Sequence, residues 1–282
     1  MRKLLSSAYS RLFQNKIFWL GVIALGGLAL WATLARYHDA TVIADMGYNT
    51  LDGLLFIGAT YAPIWVPVFV SLFIGTEYSD GTMRNKLIVG HSKLAVYFAN
   101  LIVCVSAVLI IHLVYIGIVL GLGLPLIGGF RLTATSTLVT FFFCSLATMV
   151  SLTALMLAVA MLIPNKAVGA IVAMLLGLAL LMGAMTIDQI LDAPEMIESI
   201  VGIDEMGELI LSEPHPNPRY PSGLWRGILE LLDRMLPGGQ LMTIGLGDTL
   251  PQNAWQLPVY SVLFTALTTL GGAWVFHRKD LK

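Results

Sequence analysis

The chain has 282 residues and a net charge of −1; 57% of its residues are hydrophobic and 12% are charged. Soluble domains carry about 25% charged residues, so this composition excludes a water-soluble fold and indicates an integral membrane protein. The two cysteines, Cys104 and Cys144, lie in apolar runs without a CxxC neighbour. They are predicted to be packing residues rather than a disulfide or a metal site.

The N-terminal segment, residues 1–16, has the pattern of an amphipathic helix. Its bases are spread out, no small-residue cleavage site follows, and its apolar residues share one helical face: Leu4, Leu5, Ala8, Leu12 and Phe13. This pattern predicts a helix that lies in the membrane interface. A solvated leader is the alternative.

Six apolar runs approach or exceed the ~20 residues that a membrane-spanning helix needs. They cover residues 17–35, 54–75, 94–120, 134–163, 167–187 and 255–276, and none of them contains an acid, a lysine or an arginine. Only Pro164, Asn165 and Lys166 separate the fourth run from the fifth, so these two spans are expected to form a tight hairpin. The predicted fold is therefore an all-α integral membrane fold with six transmembrane helices in a single transmembrane domain, residues 1–282.

Charged residues outside the spans predict the orientation. Eleven of the 16 lysines and arginines fall at the two termini, in the segment 76–93 and in the turn 164–166, whereas 14 of the 17 acids fall in the alternate loops. Basic loops stay in the cytoplasm. We therefore expect a multi-pass protein of the cell (plasma) membrane with both termini and the segment 76–92 in the cytoplasm.

The segment 76–92 predicts a short helix between spans two and three. Gly81 can adopt backbone angles that other residues avoid, Thr82 is a candidate N-cap, and Ser92 is expected to cap span three. Residues 83–89 are long enough for about two turns, and the side chains expected on one side are Met83, Leu87 and Ile88. The alternative is a solvated loop whose bases only fix the topology.

The largest segment outside the spans is 188–254. Its acidic first part has apolar residues at helical spacing, and a proline-rich turn follows. The next stretch, LWRGILELLDRML, has apolar residues on one face: Leu224, Ile228, Leu231, Leu232 and Met235. We predict an extracellular helical hairpin, with the second helix resting on the membrane, and its role as a lid or as a substrate-contacting cap stays open.

The absence of several sequence motifs argues against nucleotide binding by this chain, ion-coupled transport and intramembrane proteolysis. No G-x-x-x-x-G-K-[ST] motif occurs, so a P-loop nucleotide site is not expected in this chain. Ion-coupled carriers usually keep ionisable groups inside the membrane, and His112 is the only candidate, for which hydrogen-bonded packing is favoured over proton relay. No intramembrane protease motif is present, so no catalytic residue and no metal ligand are predicted.

Two spans have features of a substrate pathway. Span two carries Pro63 and Pro67, which disturb a helix, flanked by Tyr61 and Trp65. In span five, small residues at four-residue spacing allow close helix packing, and methionines offer adaptable contacts. The small residues at this spacing are Gly169, Ala173 and Gly177. The predicted pathway residues, for which packing alone is the alternative, are Tyr61, Trp65, Met174, Met182 and Met185.

The stretch EYSDGTMRNKLIVGHSKLAVYFAN resembles the signature of permease subunits of type-2 ABC exporters, and the final WVFHRKDLK resembles the close of that family. The matching positions are Glu77, Gly81, Thr82, Leu87, Ser92 and Lys93. Asn100 departs from the pattern, because many members carry a lysine there. The layout of the whole chain also resembles the family.

The resemblance implies two paired permeases, identical or homologous, each with a coupling helix seated on a separate ATP-binding cassette subunit that carries ATP and Mg. No cofactor is expected on this chain, and nucleic acid is not an expected partner. The implied coupling residues are Glu77, Gly81, Thr82, Met83, Arg84, Asn85, Lys86 and Leu87. The resemblance also implies that spans two and five lie along the dimer interface and the pathway, so that Gly169, Ala173 and Gly177 are predicted to pack the dimer.

The predicted function is export of a hydrophobic or amphipathic substrate, such as a peptide, a lipid or a drug-like molecule, with resistance to antimicrobial peptides as one role. The uncharged spans suit such a substrate and disfavour a secondary carrier. A membrane scaffold or sensor that uses the same fold without transport is the alternative.

Overall fold

The structure is a computed structural model that describes residues 2–42, 50–203, 209–247, 250–251 and 253–279. Helices dominate the described part. They are α1 (Arg2–Gln14), α2 (Lys16–Val42), α3 (Ile57–Thr60), α4 (Ala62–Ser79), α5 (Thr82–Ile88), α6 (Lys93–Leu126), α7 (Thr135–Leu162), α8 (Lys166–Leu191), α9 (Gly223–Met235), α10 (Pro237–Leu246) and α11 (Gln256–Arg278).

Five helices of the described chain are long and apolar enough to cross a membrane: α2, α6, α7, α8 and α11. They correspond to the predicted spans one, three, four, five and six. Their neighbours in the bundle follow from their contacts, since α2 lies along α6, α7 lies along α11, and α4 lies along α8. The multi-pass helical character predicted from composition is confirmed.

The predicted second span, 54–75, is not one helix. The chain forms the short helix α3, turns at Tyr61 and continues as α4 to Ser79. Pro63 explains the break, because proline has no N–H to continue the hydrogen-bond ladder and is tolerated in the first turn of a new helix. Pro67 lies inside α4, and the hydroxyl of Ser71 donates to its carbonyl at 2.5 Å.

Asn165 makes the predicted tight hairpin between α7 and α8. Its side-chain Oδ1 accepts hydrogen bonds from the backbone N–H groups of Ala167 and Val168, at 3.0 and 3.1 Å. These bonds satisfy two of the donors that the first turn of a helix leaves free. The turn can therefore be as short as three residues.

The segment 188–254 differs from the predicted helical hairpin in its first part. After α8 ends at Leu191, four short strands form two antiparallel pairs: β1 (Met196–Ile197) with β4 (His215–Pro216), and β2 (Ile200–Ile203) with β3 (Leu209–Leu211). Pro194 cannot continue a helix, and residues 200–203 are mostly β-branched and favour strands. The prediction of a first helix in this segment is therefore wrong, because short apolar runs fit the helical period of 3.6 residues and the strand period of two about equally well.

The second predicted helix of this segment is present as α9. Its apolar face, which carries Leu224, Ile228 and Leu231, is exposed, whereas Leu229 on another face is buried. The polar faces carry Arg226, Glu230 and Arg234, which form two i, i+4 ion pairs. The exposed apolar face has the character expected of a helix that rests on a membrane.

Helix α10 has no counterpart among the predicted elements. It is buried along most of its length and packs against α3, α7 and α8. Its Gln240 is fully buried, and the side chain accepts from Thr148 and Ser261 and donates to the carbonyls of Arg234 and Leu257. All four hydrogen-bonding positions of the amide are filled, so a polar residue is accommodated in the core without an unpaired group.

Candidate functional site

The turn between α4 and α5 depends on one glycine. Gly81 has φ +68°, in the left-handed region that glycine adopts without strain. The predicted sharp turn is confirmed, but Gly81 rather than Thr82 is the N-cap residue of α5. The hydroxyl of Thr82 instead donates to the carbonyl of Glu77 at 3.1 Å. Ser92 caps α6 as predicted, with its Oγ accepting from the N–H of Ala95 at 3.2 Å.

Glu77 is the centre of the site. Its side chain is 0% exposed and lies in the last turn of α4, which ends at Ser79. Its Oε1 forms ion pairs with Arg11 of α1 and with Lys86 of α5, the latter at 2.5 Å. Its Oε2 accepts from Nδ2 of Asn100 in α6 at 2.9 Å. One buried carboxylate therefore connects four helices, and its negative charge is compensated by the two cations, as burial of a charge requires. We call Arg11, Glu77, Lys86 and Asn100 the Glu77 cluster.

Helix α1 covers this cluster. Leu4, Ala8 and Leu12 are buried on one face of α1, and the hydroxyls of Tyr9 and Ser106 form a hydrogen bond at 2.7 Å that attaches α1 to α6. The guanidinium of Arg11 also lies over the Phe73 ring, 4.4 Å from its centroid. The predicted amphipathic N-terminal helix is confirmed as a helix, and its inner face packs on the bundle.

The outer surface of α5 is open. Met83 is buried and Leu87 is half-buried, whereas Ile88 and Val89 are 75% and 77% exposed. The expectation that Ile88 shares the side of Met83 and Leu87 is therefore wrong, because a residue five positions after Met83 lies roughly 140° away from it around the helix. Arg84 and Asn85 are also exposed. The free end of α5 presents an apolar pair beside polar and basic side chains.

A groove of about 290 Å³ separates α1 from α5. Lys3, Leu4 and Ser7 form the α1 side, and Asn85, Lys86 and Val89 belong to the α5 side. The groove lies directly outside the Glu77 cluster, since Lys86 contributes to both. A partner that inserts here would touch the residues that fix α5 to the bundle.

Two lysines, Lys93 and Lys279, form hydrogen bonds that connect the ends of α6, α7 and α11 near the site. Lys93, at the start of α6, donates to the carbonyls of His277 and Lys279 at the end of α11. Lys279 donates to the carbonyls of Met161 and Leu162 at the end of α7, at 3.3 and 2.9 Å. Cations at helix C-termini satisfy free carbonyls and oppose the negative end of the helix dipole. The ends of α6, α7 and α11 are thereby held together next to α5.

The predicted pathway residues are distributed over α4 and α8. Tyr61, at the break before α4, is exposed, and Trp65 is half-buried with its indole N–H unpaired in the described chain. Met174, Met182 and Met185 are exposed on α8. Their role in substrate passage stays a prediction.

The small residues predicted to pack a dimer lie on the buried side of α8. Gly169, Ala173 and Gly177 are buried, and a Cβ placed on Gly177 would overlap the carbonyl oxygen of Pro63 in α4. The close approach of backbones thus occurs between α8 and α4 of the same chain. A contact of these residues with a second permease stays a prediction.

The histidine and the two cysteines of the predicted spans are buried in the bundle. His112 and Ser145 lie buried with Nε2 and Oγ 3.0 Å apart, which agrees with a packing role. Cys104 and Cys144 are free and buried. Within the described ranges, no three histidine, cysteine, aspartate or glutamate side chains are grouped so that they can hold a metal ion.

Sequence reasoning missed Arg11 and the partnership of Lys86 and Asn100 with Glu77. One signal was present, because an acid at the end of an apolar span needs a cation once it is buried. The cation that pairs with Glu77 is decided by how α1 and α5 pack against α4, and the spacing of residues along the sequence does not predict this packing. Asn100, which departs from the resembled pattern, donates a hydrogen bond to the Glu77 carboxylate.

A family model described as "ABC-2 family transporter protein" matches residues 11–183, which include the whole Glu77 cluster and all of the helices α2 to α7. The chain belongs to the ABC-2 transporter family. No curated protein matches this chain. As an ABC-2 permease, the chain is the membrane subunit of an ABC transporter and is not itself the ATPase, and the family pairs in general with an ATP-binding cassette subunit.

Proposed function

We propose that this ABC-2 permease exports a hydrophobic or amphipathic molecule, driven by ATP and Mg bound to a separate ATP-binding cassette subunit that docks on α5. The observation that carries the proposal is the connection of the exposed tip of α5 to the bundle through the buried Glu77. A push on Ile88 and Val89 is transmitted through Lys86 and Glu77 to α1, α4 and α6.

The surface chemistry of α5 supports docking of a protein. Two large apolar side chains at the end of a helix, next to Arg84 and Asn85, offer an anchor that fills a pocket and a polar rim around it. In a solvated loop whose bases only fix the topology, Ile88 and Val89 would stay exposed to water with no partner to bury them. A docking partner buries this apolar surface, which favours docking over a solvated loop. The docking site therefore consists of the tip of α5 and the groove between α1 and α5.

The substrate class follows from the spans. The spanning helices are apolar and uncharged over their central parts, and α8 exposes three methionines on faces that α4 does not cover. An apolar path suits a lipid, an amphipathic peptide or a drug-like molecule, because no fixed charge is available to replace the hydration shell of an ion. Six crossings result if the α3–α4 unit counts as one, and both termini then lie on the cytoplasmic side with α5.

A second permease completes the transporter in this proposal. Two of the eight exposed large apolar residues of α8 are Val172 and Met174. The other six recur at alternating spacings of three and four: Val168, Ile171, Leu175, Leu178, Met182 and Met185. This spacing is the seam of a helix that pairs with another helix. The opposite face of α8 is occupied by α4, so the seam is the face that is available for a second copy.

The docking experiment is co-purification of the permease with a co-expressed ATP-binding cassette subunit. An Ile88→Glu, Val89→Glu double variant is expected to lose the ATPase, because it places two charges in an apolar contact. Leu132→Glu is the matched control, since Leu132 is an equally exposed apolar residue in the loop before α7. If the two variants recover the same amount of the ATP-binding cassette subunit, α5 is not part of the docking site.

Export is tested in inside-out vesicles that contain both subunits and a fluorescent phospholipid or hydrophobic dye. ATP-dependent accumulation that is lost in the double variant supports export. If the ATPase binds and hydrolyses ATP but no probe moves, a scaffold or sensor without transport accounts for the chain better.

The orientation has its own test. Ile88→Cys and Leu132→Cys variants are treated with a membrane-impermeant maleimide in intact cells, where the native cysteines are buried. Labelling of the Leu132 variant alone agrees with a cytoplasmic α5. Labelling of the Ile88 variant alone reverses the proposed topology.

A further inference from the structure

Helix α9 is attached to the bundle by few side chains. Of its 13 residues, all of which the structure describes, Leu229 alone is buried. The helix packs against α8, α10 and α11. Gly223, its first residue, has φ +58°, and Leu236, directly after its last residue, is extended and precedes Pro237. A helix with one buried anchor and a turn at each end has the layout of a hinged lid.

A cavity of about 60 Å³ lies between α9, the second half of α8 and the start of α10. Its lining is apolar or small except for one charged side chain, the carboxylate of Asp233 on α9. Asp233 is half-buried, and in the described part of the chain its carboxylate forms no hydrogen bond and no ion pair. An ionised carboxylate is unfavourable in such surroundings, whereas a protonated one is tolerated.

The charges that face Asp233 from α8 are negative. Asp188 lies in the last turn of α8, and Asp192 follows its last residue as the C-cap. The C-terminal end of a helix itself carries a partial negative charge. Helix α10, the other neighbour at the cavity, has no titratable side chain. An ionised Asp233 is therefore placed against two acids and the negative end of α8.

The cations near this carboxylate are engaged elsewhere. On α9 itself, Arg226 and Arg234 both pair with Glu230. Arg234 also donates to Gln256 of α11 at 3.3 Å. The first titratable side chain along α11 is Tyr260, which is a phenol and not a cation. Among the described residues, α8, α10 and α11 therefore supply no cation to the cavity.

These surroundings set the protonation of Asp233. Burial, followed by the charge of Asp188, raises its pKa from 3.8 to about 6, and the nearby Arg234 lowers it only in part. In a lifted α9 that is exposed to water, the pKa returns toward the ordinary value. Closing of α9 is therefore linked to proton uptake. The closed form is favoured at low pH and loses this advantage as pH rises from 3.8 to about 6.

Helix α9 lies at the end of the bundle opposite α5. Lys93, at the start of α6, bonds to carbonyls at the end of α11, so the start of α11, which α9 approaches, lies at the far end. We propose that α9 is a pH-controlled lid, closed on α8 when Asp233 is protonated and released when Asp233 is ionised. In the proposed topology this end faces the outside, so external acidity controls the lid. The switch depends on the packing of α9 and not on which molecule is exported.

Pulsed electron paramagnetic resonance tests the lid by measuring the distance between α9 and a fixed point at the same end of the bundle. Spin labels are placed on two exposed positions in a Gly227→Cys, Leu132→Cys variant of the full chain in phosphatidylcholine nanodiscs. The native cysteines are buried and stay unlabelled. Leu132 is a firm reference, because the N–H groups of residues 131–133 bond to Asp52.

With Asp233 present, one narrow distance distribution is expected to dominate at pH 4, and a second, broader one is expected to grow as pH rises. The ratio of closed to lifted molecules is expected to fall by up to about 150-fold between pH 4 and pH 7. This factor corresponds to a pKa of 3.8 in the lifted form and about 6 in the closed form.

Three further substitutions in the labelled chain test the assigned groups. Asp233→Asn keeps the shape of the side chain but cannot ionise, and it is expected to stay closed from pH 4 to pH 8. Asp188→Asn removes a neighbouring charge that raises the pKa of Asp233, so the ratio is expected to fall by less than in the wild type. Glu213→Gln, the matched control, changes an exposed acid in the segment before α9 and is expected to keep the wild-type profile.

Three results would overturn the pH-controlled lid. Distance distributions that are the same at pH 4 and pH 8 in the wild type would show that α9 does not respond to protonation. A pH-dependent change that persists in Asp233→Asn, or equal profiles for Asp188→Asn and Glu213→Gln, would assign the response to other groups. Thermal unfolding of each variant identifies misfolding, and the comparison of Asp188→Asn with Glu213→Gln keeps the test decisive if Asp233→Asn does not fold.

Discussion

Replacing Glu77 by glutamine removes one negative charge from the centre of the site while keeping its size. Arg11 and Lys86 then lose their anionic partner, although their side chains remain only 25% and 14% exposed. Breaking a buried ion pair by removing one partner costs 3–5 kcal/mol, because the other charge stays buried and unpaired. Since both cations retain some contact with solvent, we expect the lower end, about 3 kcal/mol.

The loss is measured as the free energy of unfolding in mixed micelles, from reversible denaturation with increasing SDS. Asp80→Asn is the matched control, because Asp80 is an exposed acid three residues further along. Surface substitutions of this kind change stability by less than about 0.5 kcal/mol. Glu77→Gln is also expected to lower recovery of the ATP-binding subunit, because α5 is no longer fixed to α1, α4 and α6.

A double variant separates the ion pair from other effects. Lys86→Gln alone leaves Glu77 with Arg11 and Asn100, whereas Glu77→Gln with Lys86→Gln removes both members of one pair. The double variant is expected to lose less stability than the sum of the single variants, by roughly 1–2 kcal/mol. Additive losses, or a Glu77→Gln loss as small as that of Asp80→Asn, would refute the reasoning that the carboxylate holds these helices together.

Burial, followed by the nearby charge of Asp188, raises the pKa of Asp233 from 3.8 to about 6. Its protonated form is therefore favoured in the folded state, and this stability is lost as pH rises through about 6; Asp233→Asn should be more stable than the wild type at pH 8, by at most about 3 kcal/mol, with the difference shrinking toward pH 4 in thermal unfolding. Burial raises the pKa of Asp52, but hydrogen bonds from the backbone N–H groups of residues 131–133 outweigh it and hold the pKa at about 2. Stability from Asp52 is therefore present above pH 3.8 and lost as pH falls toward 2, and Asp52→Ala should cost about 2 kcal/mol at neutral pH in the same assay; an unchanged midpoint would contradict the role of those bonds. Gly177→Ala should lower stability by more than about 2 kcal/mol, because its Cβ would meet a backbone carbonyl, whereas Gly183→Ala on the same helix has open space and should be neutral or slightly stabilising; similar midpoints for the two would contradict the close contact of α8 with α4.

Local signals predicted much of the candidate site. The turn at Gly81 and the cap at Ser92 are confirmed because each depends on one residue and its immediate neighbours. The first half of the segment 188–254 was predicted wrongly, because its short apolar runs fit a helix and a strand alike and pairing partners decided between them. The break at Tyr61 was visible only as two prolines in a long apolar run.

The Glu77 cluster shows where local signals end. Its members are residues 11, 77, 86 and 100, on four helices, and no periodicity links them. Gln240 is similar, because a glutamine between two glycines and a leucine gives no sign that its amide fills four hydrogen bonds in the core. Both depend on which helices fold back on which.

By itself, the sequence determined the class of protein, the positions of the apolar spans and the short helix after the second of them. These depend on hydropathy, charge and single turn residues, all of which act over a few neighbouring positions. The tertiary structure alone decided which cations pair with Glu77, where α10 inserts, which face of α8 is free and which acids lie near Asp233. Contacts between distant residues settle these features, since a buried polar group takes its partner from whichever helix packs beside it.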